Sequence, residues 1–92
     1  MLALTLAATA CGGSQGATGP DLYAESCAMC HGDRAEGGIG PAIGPGTNSV
    51  DLTDDQLAGV ITVGPGSMPG FPRLSDEQIN SLVAYMRELQ KP

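Results

Sequence analysis

The chain has no tryptophan, one phenylalanine and two tyrosines in 92 residues, and it carries fourteen glycines and seven prolines. Its own apolar side chains are thin material for a core, and a domain this small normally needs a disulfide, a metal or a cofactor to complete one. Histidine occurs once, at His31, which excludes any site built from several imidazoles. Four basic residues against ten acidic ones leave a net charge of −6, the wrong sign for a nucleic-acid face. The excess serves solubility and also suits a basic docking partner. No segment alternates as a strand would. The longest apolar run, residues 2–10, is too short to cross a bilayer as a helix.

What is present is Cys27-Ala28-Met29-Cys30-His31, a C-x-x-C-H pentad that reads as the attachment signature of a c-type haem. On a helix, side chains three and four apart share a face. Cys27 and Cys30 are therefore placed to form two thioethers to one porphyrin edge, with His31 as an axial ligand to the iron. Two other readings of the pair are weaker. A redox dithiol of thioredoxin type needs a βαβ setting that this pattern lacks. A structural zinc site needs four ligands, and outside the pentad the chain offers only Cys11.

Residues 1–10 read as a signal peptide: LALTLAATA is apolar and uncharged and ends in small residues. No basic residue precedes the run, so the natural start is expected to lie further upstream. The boundary at Ala10-Cys11 resembles a bacterial lipoprotein signal, in which the cysteine is lipidated and becomes the mature N-terminus. Ordinary secretion after Ala8-Thr9-Ala10, or pairing of Cys11 with another chain, are the alternatives. Residues 11–19 then form a flexible lipid-anchored linker, whose Gly/Ser-type stretch has a reach of roughly 16 Å. The expected location is the periplasm or the outer face of the cytoplasmic membrane.

Residues 20–92 form the folded domain, expected as about three helices with Gly/Pro-rich loops around one haem. The first helix starts near Gly19-Pro20-Asp21, with Asp21 as a cap, and runs to Gly32. Thr53 with Gln56 and Ser75 with Gln78 are capping boxes, and Leu52 with Leu57 and Leu74 with Ile79 are hydrophobic staples. They open helices near Asp54–Val63 and Asp76–Leu89. The last buries Ile79, Leu82, Val83, Met86 and Leu89. Residues 37–46 hold too much Gly and Pro for a helix. In this loop Ile39 and Ile43 are expected to turn inward against the haem, with the Pro41 carbonyl accepting a hydrogen bond from the non-ligating nitrogen of His31. Leu57, Ile61 and Phe71 are expected as further haem contacts. Met68, in the irregular loop after the second long helix, is the candidate for the other axial position.

From Gly19 onward the sequence resembles the small single-haem class I cytochromes c of bacteria. The residues that carry the likeness are Gly19 and Tyr23, the Cys27–His31 pentad with Gly32, Gly40-Pro41, Met68-Pro69, and Leu82 with Tyr85. The leader adds a likeness to their membrane-tethered members. The resemblance implies an all-α fold whose first and last helices cross through the glycine and the aromatics. It implies one covalent haem c with His31 and Met68 on the iron, and a one-electron carrier rather than an enzyme. That carrier would serve redox complexes at the membrane, such as a cytochrome reductase or terminal oxidase, with no small-molecule substrate. A haem subunit fixed in an oxidase or dehydrogenase complex is an alternative. An open-site gas-binding or peroxidase-like protein is another, although no distal His or Arg–His set is available to it.

Overall fold

The computed structural model describes residues 18–92. The expected signal peptide 1–10, Cys11 and most of the 11–19 linker lie outside the described residues. Within them the chain is all-α, with four α-helices and no strand: α1 (Gly19–Ser26), α2 (Ala28–His31), α3 (Asp54–Val63) and α4 (Asp76–Leu89). A short 3-10 turn, Asn48–Asp51, precedes α3.

Two expectations about the first helix are corrected. Its cap is Thr18, and Asp21 sits inside the first turn, where it accepts a hydrogen bond from Thr18 Oγ1 at 3.3 Å. Gly19 is thus helical and buried, not the end of a linker. The single predicted helix up to Gly32 is also two. Cys27 has φ −118°, far from the helical value near −63°, and α2 begins anew after it. Cys27 nevertheless bridges the break. Its N–H donates to Tyr23 O at 2.9 Å, and its carbonyl accepts from His31 N–H at 2.9 Å.

The two long helices start where local chemistry says they should. Gln56 N–H donates to Thr53 Oγ1 at 3.0 Å while Thr53 N–H donates to Gln56 Oε1 at 2.8 Å. Ser75 and Gln78 repeat the reciprocal pair at 2.9 and 3.1 Å. Such a box satisfies amides that the first turn otherwise leaves orphaned. Leu52 and Leu74, the predicted staple residues, pack against the core.

That core lies where α1 and α3 pack on α4. It consists of Leu22, Tyr23, Leu57, Ile61, Ile79, Leu82, Val83 and Met86. The crossing of α1 and α4 is tightest at Gly19, whose N–H donates to Ser81 Oγ at 2.6 Å. A Cβ at Gly19 would collide with the Ser81 carbonyl. Further along, Tyr23 meets Tyr85 edge-on, with centroids 5.6 Å apart at 62°, a favoured aromatic geometry. Each fully buried leucine, Leu22 or Leu82, contributes about 2 kcal/mol through its removal from water. Packing at this crossing places the Cys27–His31 segment directly at the end of α1.

Candidate haem site

The pentad occupies the break after α1 and the whole of α2. Cys27 and Cys30 are free thiols, each half-buried. Burial pushes the Cys27 thiol up to about 11, and the neighbouring Cys30 adds to the shift. A thiol held so firmly protonated is unlike the attacking cysteine of a dithiol oxidoreductase, whose pKa is depressed. Among the described residues, no group of three or more His, Cys, Asp or Glu side chains is arranged to hold a metal ion directly. The dithiol and zinc readings therefore lose ground to attachment of a preformed cofactor.

His31 is oriented by a single bond. Its Nδ1 lies 2.8 Å from Pro41 O, and a carbonyl only accepts, so Nδ1 carries a proton, and in the neutral imidazole this leaves the lone pair on Nε2. This is the arrangement expected of a metal-bound imidazole. Two half-buried thiols three residues apart beside an imidazole whose Nδ1 is engaged by Pro41 O fit a covalently attached haem. The haem would take thioethers from Cys27 and Cys30 and ligation from His31.

The loop that delivers Pro41 folds back on the pentad through its backbone. Gly40 N–H donates to Cys30 O at 2.7 Å, Gly38 N–H to Gly40 O at 2.9 Å, and Gly37 N–H to His31 O at 2.6 Å. Gly40 lies close to both Cys30 and the His31 ring, with Cε1 only 3.4 Å from where a Cβ would stand. At Gly32, φ is +91° and a Cβ would strike the Glu36 carboxylate. That carboxylate is drawn below its ordinary range by backbone N–H groups, its own and that of Arg34. Tyr23, 2% exposed, ties the same turn to α1 by donating its hydroxyl to Gly32 O at 2.7 Å. Burial foremost, then the Cys27 thiol, pushes the Tyr23 phenol up to about 12.

The remaining predicted contacts fall into three groups. Leu57 and Ile61 are 3% and 5% exposed, their surface already taken by the helical core. Ile43 and Phe71 are half-buried and pack against that core from the loops. Ile39 is 83% exposed at the tip of the Gly38–Gly40 turn and does not pack on the helical core. Met68 is half-buried in the loop after α3, and its N–H donates to Pro65 O at 3.1 Å. This loop is tight at its base, since Gly64 has φ +70° and a Cβ there would meet Gly70 N and Met68 O. Phe71 N–H donates to Ile61 O at 2.9 Å, which pins the far end of the loop to α3.

Sequence reasoning missed a polar cluster on the other side of the Pro41 loop. Gln90 is buried, and its Nε2 donates to Ile43 O at 3.1 Å and to Ser49 Oγ at 3.2 Å. Arg87 donates to Gln90 Oε1 at 2.7 Å, to Leu52 O at 2.5 Å and to Asp54 Oδ1 at 2.9 Å. Arg87 is a basic residue in the last turn of α4, where it suits the helix dipole, and nothing local marks partners more than thirty residues away. A cavity of about 550 Å³ lies against this loop, with Pro41, Ile43, Thr47, Ser49 and Leu52 in its wall.

The likeness to known proteins agrees with the geometry. A c-type cytochrome named KustC0563 superposes with a TM-score of 0.71 at 23% identity, over 82% of this chain and all of that one, which supports the fold. Cytochrome c55X of Stutzerimonas stutzeri is 40% identical over 63 residues, 67% of this chain. The match spans 56% of that relative's length. Residues 14–86 match the family described as cytochrome c oxidase, cbb3-type, subunit III. The chain therefore belongs to this cytochrome c family, whose c-type domain carries covalently bound haem for electron transfer.

Proposed function

We propose that the chain is a small single-haem class I cytochrome c that carries one electron at a time, with His31 and Met68 as axial ligands. The observation that carries this reading is the 2.8 Å contact between His31 Nδ1 and Pro41 O. It fixes the tautomer, aims Nε2, and makes the imidazole a stronger donor. Cys27 and Cys30 hold the cofactor's edge and His31 holds one axial position. Met68 supplies a thioether at the other, which raises the potential by favouring the reduced state. The bound haem supplies reversible ferrous–ferric cycling. With both axial positions taken by the chain's own side chains, no position is left for a substrate, so the protein is a carrier and not an enzyme. Ile43 and Phe71 flank the cofactor, with Leu57 and Ile61 as the packed layer behind them. Pro41 acts through His31.

The leader extends the proposal. Residues 1–10 direct export, Cys11 bears the lipid, and the following linker tethers domain 20–92 at the outer face of the cytoplasmic membrane. There it exchanges electrons with membrane redox complexes. A second reading is favoured by the family description itself: the domain works as a fixed haem subunit of an oxidase rather than as a shuttle. Solubilised membranes separate the two. A subunit co-purifies with its complex in constant ratio, whereas a shuttle is released by salt.

The ligand set is tested by the absorption spectrum of the mature holoprotein in both redox states. The proposal expects a low-spin spectrum with a weak near-red sulphur-to-iron band when oxidised, lost in Met68→Ala. A high-spin spectrum in the unmutated protein, shifting on addition of carbon monoxide or cyanide, would replace the carrier with an open-site haem protein.

A further inference from the structure

We infer that Gln90, backed by Arg87, is a positioning residue for His31: a clamp from the last helix that holds the Pro41 loop in register with the imidazole and so helps to set the iron's potential. The inference rests on the proposed ligation by His31. Among the described residues Gln90 is the one buried side-chain amide, and a buried amide keeps its place only if its groups are satisfied. All of its bonds serve one purpose. Nε2 donates to Ile43 O and Ser49 Oγ, inside the loop, while Oε1 accepts from Arg87. Arg87 in turn reaches the Leu52 carbonyl, where the loop enters α3. Ser49 Oγ also donates to Ile43 O at 3.0 Å and meets Thr47 Oγ1 at 2.7 Å. The clamp thus closes on Ile43, two residues after the carbonyl that His31 engages.

From Ile43 the restraint passes in both directions. Ile43 N–H donates to Ala35 O at 3.0 Å, and Ala35 is 1% exposed with φ +65°. A non-glycine residue in that region persists only where its surroundings hold it. Pro41 has no N–H with which to fix itself. Its carbonyl is located by the backbone bonds of Gly40 before it and by Ile43 after it. Releasing Ile43 lengthens the contact from Nδ1 to Pro41 O. A weaker contact leaves the imidazole a poorer donor, so ferric iron is less stabilised and the potential moves up.

The test uses the full holoprotein and two variants. Gln90→Met keeps the volume and removes every hydrogen bond. Gln90→Glu keeps an acceptor for Arg87 and removes only the donors into the loop, so it retains the fold should the first variant fail. Two quantities are read, the hydrogen exchange of the Ile43 and Val83 amides and the reduction potential. The clamp predicts about tenfold faster exchange at Ile43, the ratio that corresponds to one lost buried hydrogen bond, with Val83 in α4 unchanged. It also predicts a more positive potential in Gln90→Met, which introduces no charge. Equal acceleration at Ile43 and Val83 would mean general destabilisation and would overturn the clamp. Faster exchange at Ile43 with an unmoved potential would overturn its link to His31. If His31 proves not to bind iron in the unmutated protein, the ligation reading fails, while the exchange data still decide for or against the clamp.

Discussion

The α1–α4 crossing and the loop from Gly32 to Leu52 are held by different means. The crossing is made of burial: Leu22, Tyr23, Leu82, Val83 and Met86 fill it, and Gly19 lets two backbones approach as closely as atoms permit. The loop has one fully buried apolar side chain, Ala35, rests Ile43 and Leu52 against the core, and is otherwise held by hydrogen bonds into its backbone from His31, Tyr23, Gln90 and Arg87. The crossing makes the fold stable. The loop makes the imidazole point. A stretch of glycine and proline with no core of its own can thus place a carbonyl accurately, provided that polar side chains reach it from a helix.

The most forceful way to break the comparison is at the crossing. Gly19→Ala puts a methyl into the Ser81 carbonyl, and the helices must separate. A loss of about 3 kcal/mol in denaturant unfolding is expected, at the upper end of overpacking costs, with the haem attachment proposed at Cys27 and Cys30 impaired only as far as folding is.

Tyr23 belongs to both regions, with its ring in the crossing and its hydroxyl on Gly32 O. Tyr23→Phe should cost about 1 kcal/mol at neutral pH. Its folded pKa is raised from 10.0 to about 12, so the folded state holds the proton more tightly than the unfolded chain does. The stability this supplies is complete below pH 10 and is lost as pH rises from about 10 to about 12. An unfolding series across that range should fall more steeply for the natural protein than for the Phe variant.

The smallest effect sharpens the contrast most. Ala84→Gly, at an exposed position within α4, should cost about 1 kcal/mol through helix propensity. Ala35→Gly should cost less than about 0.5 kcal/mol, because relief at φ +65° offsets the lost methyl. Thermal melts of the two variants, measured side by side, check this. An equal loss in both would mean that Ala35 is held by packing as a core residue is.

The two regions also differed in how far they could be read from sequence. Capping boxes and staples act within four residues, so the starts of α3 and α4 were legible to the residue, as was the buried stripe of α4 apart from Leu89, which is half-buried. The Tyr23–Tyr85 contact and the Pro41 carbonyl on His31 could be anticipated, because the pentad and its resemblance to class I cytochromes named the partners. The division of the first helix at Cys27 could not, since no residue there breaks helices by type. Ala35 gives no sign of a positive φ, which glycine or asparagine would have given. Nothing local in the sequence shows that Ile39 stands clear of the helical core, since its exposure follows from the turn that carries it. The Gln90–Arg87 clamp spans a sequence separation that no local pattern encodes.

The central claim is that one backbone carbonyl fixes the tautomer and aim of His31, and nitrogen NMR of the reduced, diamagnetic holoprotein tests it most directly. The account predicts a protonated His31 Nδ1 whose hydrogen exchanges slowly and shows coupling to the Pro41 carbonyl, and an Nε2 that bears no hydrogen and is shifted by the iron. A proton on Nε2, or an Nδ1 without one, would contradict it.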